Sequence, residues 1–155
     1  MKEEFIEEFR RVLRIFDQEL YLQNHASCCE GISLSQCLTL MEIERNREIS
    51  VSDLASRLSL DKSTVSRTVD GLVTINLVNR VTPSENRRLA LINLTDSGSQ
   101  VCAAINTSNN SYVNRILKDF TMDERKEFLR LFRKMADNMT ALRLQEQDAG
   151  KAGPC

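Results

Sequence analysis

The chain has 155 residues, 41% of them hydrophobic and 28% charged, with a net charge of −1. That length fits one domain and can bury its own core, so no disulfide or metal is required for folding. The near-neutral balance excludes a global polycation, so any nucleic-acid surface must be a local patch. Residues 1–14 are charged and amphipathic rather than a leader, and no apolar run approaches ~18 residues. The five cysteines are odd in number and irregularly spaced. Together these features predict a cytoplasmic protein with reduced thiols and no membrane association.

Helical periodicity comes first. Phe5, Phe9, Leu13, Phe16 and Leu20 recur at steps of three or four, which predicts a helix over about 3–22, and polar residues 23–31 then break the pattern. Ser33 with Gln36 forms a capping box that opens a second helix. Its expected apolar set is Leu34, Cys37, Leu38 and Met41, with Ile43 a further candidate. Val51, Leu54, Ala55 and Leu58 mark a short third helix, capped by Ser50 and carrying Asp53 in its first turn. Leu60 falls in a tight connection, and Asp61 caps a fourth helix with Val65, Val69, Leu72 and Val73 on one side. The period then changes to alternation. Residues 77–81 and 89–94 are expected as two strands around the turn-rich stretch 82–87, making a β-hairpin. Thr95 caps a long helix with Val101, Ile105, Tyr112, Ile116 and Phe120 on one face. Thr121 and Glu124 form another capping box, opening a last helix with Phe128, Leu131, Phe132, Met135, Met139 and Leu142. Residues 145–155 are polar and glycine-containing and are expected to be a disordered tail.

The order helix, tight turn, helix, hairpin is that of a winged helix-turn-helix, a mainly α fold with a small β-hairpin wing. A helix that enters a major groove needs a polar, partly basic outward face. Lys62, Ser63, Thr64, Ser66, Arg67 and Thr68 supply one. Hydroxyls can meet phosphates or base edges, and Arg67 can fork onto a guanine or reach a phosphate. Arg87 and Arg88 sit at the hairpin tip and Arg80 at its base, where arginine can enter a narrow minor groove. Arg88 can instead pair with an acid such as Asp70 and hold the wing, leaving Arg87 for DNA. Residues 57–88 hold six basic and three acidic side chains, a local charge of +3 in a chain of −1. Taken singly, a hydroxyl-rich helix face or two turn arginines are ordinary surface; their joint spacing is what points to duplex DNA.

The run Val51-Ser-Asp-Leu-Ala-Ser-Arg-Leu-Ser-Leu-Asp-Lys-Ser-Thr-Val-Ser-Arg-Thr-Val-Asp-Gly-Leu, followed by Asn86-Arg-Arg and Leu94-Thr-Asp-Ser-Gly98, resembles the MarR family of bacterial regulators. The resemblance covers about 5–144. It implies a single domain over 1–144, with a winged core at about 33–98 and dimerisation helices at about 3–22 and 99–144. It also implies a two-fold dimer with the first and last helices of each chain interleaved. Such a dimer binds a pseudo-palindromic operator, most often as a repressor released by a small ligand, in some members as an activator. The apolar stripes of the terminal helices agree, being too long for a small winged domain to cover alone. A dimer would set two recognition helices about one DNA turn apart. The family usually has an Asp before the two wing arginines, where this chain has Asn86. DNA contact by Arg87 is still expected, but a salt bridge from that Asp is not.

Sulfur is the unusual feature. His25, Cys28, Cys29 and Cys37 fall within thirteen positions, in a region that in this family borders the ligand-sensing cleft. Thiolates and an imidazole can bind a soft metal or metalloid, and a low-pKa thiol can be oxidised. Against this, Cys37 and Cys102 fit apolar helix faces, and the Cys-Cys-x₇-Cys spacing is not a standard zinc pattern. No cofactor is required by the sequence. One histidine, no phosphate-cradling glycine loop and no paired-histidine motif argue against an enzyme. The alternative to a DNA-binding regulator is a winged-helix protein-interaction or dimerisation module, and the basic wing favours DNA.

Overall fold

A computed structural model describes residues 2–26, 31–82 and 90–151. Within them, the order is α1 (Lys2–Ala26), α2 (Leu34–Asn46), β1 (Ile49–Ser50), α3 (Val51–Leu58), α4 (Lys62–Thr74), β2 (Val78–Val81), β3 (Leu91–Leu94), α5 (Asp96–Ile116) and α6 (Met122–Lys151). The chain forms two compact units, Met1–Thr107 and Ser108–Cys155. No described helix is long and apolar enough to cross a membrane.

In the first unit each helix starts where the sequence supplies a cap. Ser33 and Gln36 bond reciprocally at α2, Ser50 accepts from the Asp53 amide at α3, and Asp61 accepts from the Thr64 amide at α4. Each cap satisfies an amide that the helix itself leaves unpaired. The chain leaves α3 through Ser59 in the left-handed region (φ 54°) and turns into α4 within three residues. The strands form an antiparallel sheet in the order β1-β3-β2, with Ile49 and Arg80 opposite Ile92 and Val78 opposite Leu94.

The core lies where α2, α3, α4, the sheet and the start of α5 converge. Leu40, Ile43, Ile49, Leu54, Val65, Val69, Leu72, Val78, Ile92 and Cys102 are all buried there. Glu42 on α2 faces Arg57 on α3 at 3.4 Å, and Glu44 accepts from Asn106 of α5 at 3.0 Å. A short clamp joins α5 to the end of α4. The Thr95 hydroxyl donates to the Asn76 carbonyl at 2.8 Å and accepts from the Gly98 amide at 2.9 Å, while the Thr95 amide donates to the Leu77 carbonyl. Gly98 is required by this approach, because a Cβ there would lie 2.0 Å from the Leu77 oxygen.

The second unit holds the end of α5 and all of α6. Thr121 and Glu124 make the expected capping box, and Arg125 reaches back to the Leu117 carbonyl at 2.6 Å. Phe128 stacks on Phe132 with ring centroids 5.4 Å apart.

Several expectations shift. The first helix runs to Ala26 rather than 22, since nothing in its polar end breaks a helix before Gly31 (φ 95°). On α2 the buried stripe is Thr39, Leu40 and Ile43, while Leu34 and Leu38 are exposed. That helix has two apolar stripes, and only the one beneath α3 and α4 joins the core. Val73 of α4 is likewise exposed. Strand β1 was not expected; at two residues it is too short to show alternation. The described part of β3 begins at Leu91. Phe120 lies beyond the end of α5, and α6 continues to Lys151 where a disordered tail was expected from 145. Residues 141–151 hold no proline, and their single glycine falls near the end.

Gly98→Ala is expected to destabilise the protein by about 3 kcal/mol, as overpacking against backbone does. Urea denaturation would test this, and an unchanged midpoint would mean that the Leu77 backbone yields to the methyl group.

Candidate nucleic-acid interface

The phase of α4 is set by its buried side. Val65, Val69 and Leu72 point into the core, so the opposite ridge, at steps of four and three, is Ser63, Arg67, Asp70 and Thr74, all exposed. Lys62 is exposed beside this ridge at the N-terminal end. The two flanks are less open. Thr64, Ser66 and Thr68 are half-buried. Thr68 donates to the Thr64 carbonyl at 3.0 Å and lies 3.4 Å from the Ser35 hydroxyl of α2. Of the six α4 residues singled out from sequence, Lys62, Ser63 and Arg67 therefore form the open surface. Thr68 serves mainly the α2–α4 contact.

Asp61 organises the N-terminal end. One carboxylate oxygen accepts from the Ser63 hydroxyl at 2.6 Å and the Thr64 amide at 2.8 Å, and the other accepts from the Thr64 hydroxyl at 2.7 Å. These donors, the Ser63 hydroxyl foremost, hold its carboxyl far below the usual carboxylate range. Arg67 donates to the Ser63 oxygen at 3.3 Å, so its guanidinium lies along the ridge.

The wing side adds a contact that was not expected from the sequence. Asp70 pairs with Arg80 of β2 at 2.8 Å. The same Arg80 nitrogen lies 3.5 Å from both the carbonyl and the hydroxyl of Ser66. Arg80 thus ties the base of the hairpin to α4. Sequence spacing could not select it, because ten residues and a change of element separate the pair. Arg87 and Arg88 lie outside the described residues.

The sulfur cluster is reached only in part. Cys37 is half-buried on α2, while Cys28, Cys29 and the side chain of His25 lie outside the described residues. Cys102 is fully buried, its thiol 3.9 Å from the Leu40 carbonyl. Burial, reinforced by the charges of Glu44 and Cys37, pushes that thiol up to about 11, so it stays protonated and unreactive at neutral pH.

A recognition-type helix with a bare polar ridge, a cap at its start and a hairpin tied to its side is now in place, and residues 32–89 match the model of the MarR family. Over that stretch the chain resembles a MarR-family domain. The chain is 27% identical over 111 residues to an uncharacterised HTH-type transcriptional regulator, YdgJ, of Bacillus subtilis (strain 168), covering 72% of this chain and 68% of the relative. A MarR family protein from Bacillus stearothermophilus superposes with a TM-score of 0.77 at 22% identity, over 90% of this chain and 99% of that one. A mutant of MarR from E. coli, solved in complex with operator DNA, superposes with a TM-score of 0.66 at 24% identity, over 85% and 95% of the two chains. The described elements from α2 to β3 therefore share the fold of these structures.

The Asp61 cap makes a pH prediction. A carboxyl whose folded pKa is depressed stabilises the fold above its unfolded value, near ~3.9, and that contribution fades as pH falls through the folded value. Wild type should therefore melt above Asp61→Asn at pH 6. The gap should close as pH drops below about 4. A gap that stays constant down to acid pH would remove ionised Asp61 from the cap.

Proposed function

We propose that this MarR-family chain is a homodimeric transcriptional regulator that binds duplex DNA at a pseudo-palindromic operator. The observation that carries it is the exposed ridge of α4, Ser63 and Arg67 with Lys62 at its end, on a helix whose other faces are held by α2, the core and β2. Such a ridge suits a major groove, with Arg67 placed to read a guanine edge and Lys62 to meet a phosphate. Arg87 and Arg88 of the wing are assigned to the flanking backbone or minor groove on sequence grounds. The operator complex of the E. coli relative supports the same mode of binding.

The dimer is inferred from uncovered apolar surface. Phe5, Phe9, Leu13, Phe16 and Leu20 of α1 are each between 37% and 66% exposed, and Phe128, Leu131, Met139 and Leu142 of α6 between 44% and 59%. Contiguous apolar faces of this extent mark interaction surfaces. We assign them to a second copy of the chain. Repression relieved by a signal is the regulatory mode assigned, the signal being a small ligand, a soft metal or metalloid, or oxidation of a thiol. If sulfur is the sensor, the protonated, buried Cys102 is not the reactive group, and the reading falls on Cys28, Cys29 and Cys37 with His25 rather than on Cys155 at the tail.

Two outcomes are expected. Arg67→Ala should weaken operator binding about 10- to 100-fold and relax preference at one position of each half-site, as loss of a bidentate base contact does. Fluorescence anisotropy on a selected operator and its single-base variants would measure this, and an unchanged base profile would move Arg67 to the phosphates. Sedimentation should give twice the chain mass of 17.7 kDa. The double substitution Phe9→Glu and Leu13→Glu should yield folded monomers with weakened operator binding. A wild-type monomer that still binds DNA tightly would refute the dimer.

A further inference from the structure

The ridge of α4 contains one residue that is out of place on a surface meant for a polyanion. Asp70 sits between Arg67 and Thr74, with its side chain 59% exposed. Its carboxylate takes the guanidinium of Arg80 at 2.8 Å, and the same terminal nitrogen leans on Ser66. All these contacts fall on one end of Arg80, so the pair is a tether from strand to helix. Toward DNA the pair is also electrically neutral. Among the described residues of this surface the cations are Lys62, Arg67 and Arg80 and the anions Asp61 and Asp70, a balance of +1.

We propose that Asp70 is a specificity-determining residue that holds Arg80 on α4 and withholds its charge from the phosphate backbone, keeping affinity for arbitrary DNA low relative to the operator. The inference rests on the DNA-binding role proposed above. Binding to arbitrary duplex counts neutralised phosphates and little else, so every cation bound internally is lost to it. Operator binding depends instead on the ridge meeting base edges in a fixed register. There the Arg80–Asp70 tether helps, because it fixes the base of the wing relative to α4. The two modes of binding therefore respond to Asp70 in opposite directions. The pair lies at the surface, where such bonds are individually weak, so its effect on stability is small and its effect on charge is the larger one.

The test compares wild type, Asp70→Asn, Arg80→Ala and the double variant as full-length dimers. Each is titrated by anisotropy against a selected operator and a scrambled duplex of equal length between 50 and 200 mM salt. Asp70→Asn should bind the scrambled duplex more tightly and steepen its log–log salt slope by about 0.9, the value for one phosphate. Over that salt range the slope change is an extra ~3.5-fold loss of affinity. The ratio of operator to scrambled affinity should fall, and adding Arg80→Ala should return the slope to the wild-type value. Asp70→Ser serves as a second variant if the asparagine folds poorly. A merely structural role for Asp70 would lower the melting temperature without steepening the slope. Asp70→Asn with an unchanged slope, or with weaker binding to the scrambled duplex, overturns the proposal in a protein that still binds DNA. Wild type that binds no duplex at all would overturn the DNA-binding role itself, and this inference with it.

Discussion

Val65, Val69 and Leu72 bury one side of α4 against α2, α3 and the sheet, and that burial dictates the remaining surface. A helix anchored by three fully buried side chains has no rotational freedom left. Residues at steps of three and four from Ser63 must then face outward, and residues one or two positions away must lie on a flank. The cap at Asp61 fixes where the helix starts, and the Thr95 clamp fixes the chain just beyond its end, so its phase and its length are both set from within the first unit. Burying a valine or leucine stabilises by roughly 1.5–3 kcal/mol. The outward residues contribute little of this, which is why they are free to be chosen for contact with a partner.

The flanks of α4 make the ridge sensitive to its neighbours. On one side Ser35 of α2 approaches Thr68, and Gln36 lies where a Cβ at Gly71 would meet its side-chain nitrogen at 3.2 Å. On the other side β2 holds Asp70 through Arg80. Cys37 comes directly after Gln36 on α2, the helix that braces α4. Cys102 lies deeper, beneath α2, where oxidation would first require the core to open. Two thiols of one unit thus differ in accessibility because their burial differs.

Local chemistry was the most legible part of the sequence. Ser33 with Gln36, Ser50, Asp61, Thr95, and Thr121 with Glu124 all start helices where their side chains can pair orphan amides, and that rule needs no tertiary information. Which apolar stripe faces inward on α2 was not legible, because Leu34 and Leu38 are as hydrophobic as Leu40 and Ile43; only the position of α3 and α4 separates the two sets. Of the α4 residues expected to face outward, Lys62, Ser63 and Arg67 are exposed. Thr68 is half-buried, its hydroxyl near Ser35, 33 residues earlier in the chain, a contact that spacing alone does not reveal. That Arg80 is a partner of Asp70 was not legible for the same reason. An arginine at the strand base and one at the hairpin tip are equivalent in sequence, and the register of β2 against β3 brings Arg80 alongside α4.

The distribution of burial separates the parts of the chain that can stand alone from those that cannot. Every fully buried hydrophobic side chain named above belongs to the winged core or to the first turns of α5. On α1 no described side chain is buried, although the helix is 25 residues long and carries Phe5, Leu13, Phe16 and Leu20 on the same face as Phe9. An isolated helix in water draws only marginal stability from its backbone, and most helical stability in proteins comes from packing an amphipathic face. The Phe5–Phe9 stack, with centroids 6.1 Å apart, covers only part of one turn. A helix this apolar on one face would be a liability if it met only solvent. In the dimer proposed above that face is covered by another copy of the chain, and the spacing between two recognition helices would then be set by the very surfaces that the winged core leaves bare.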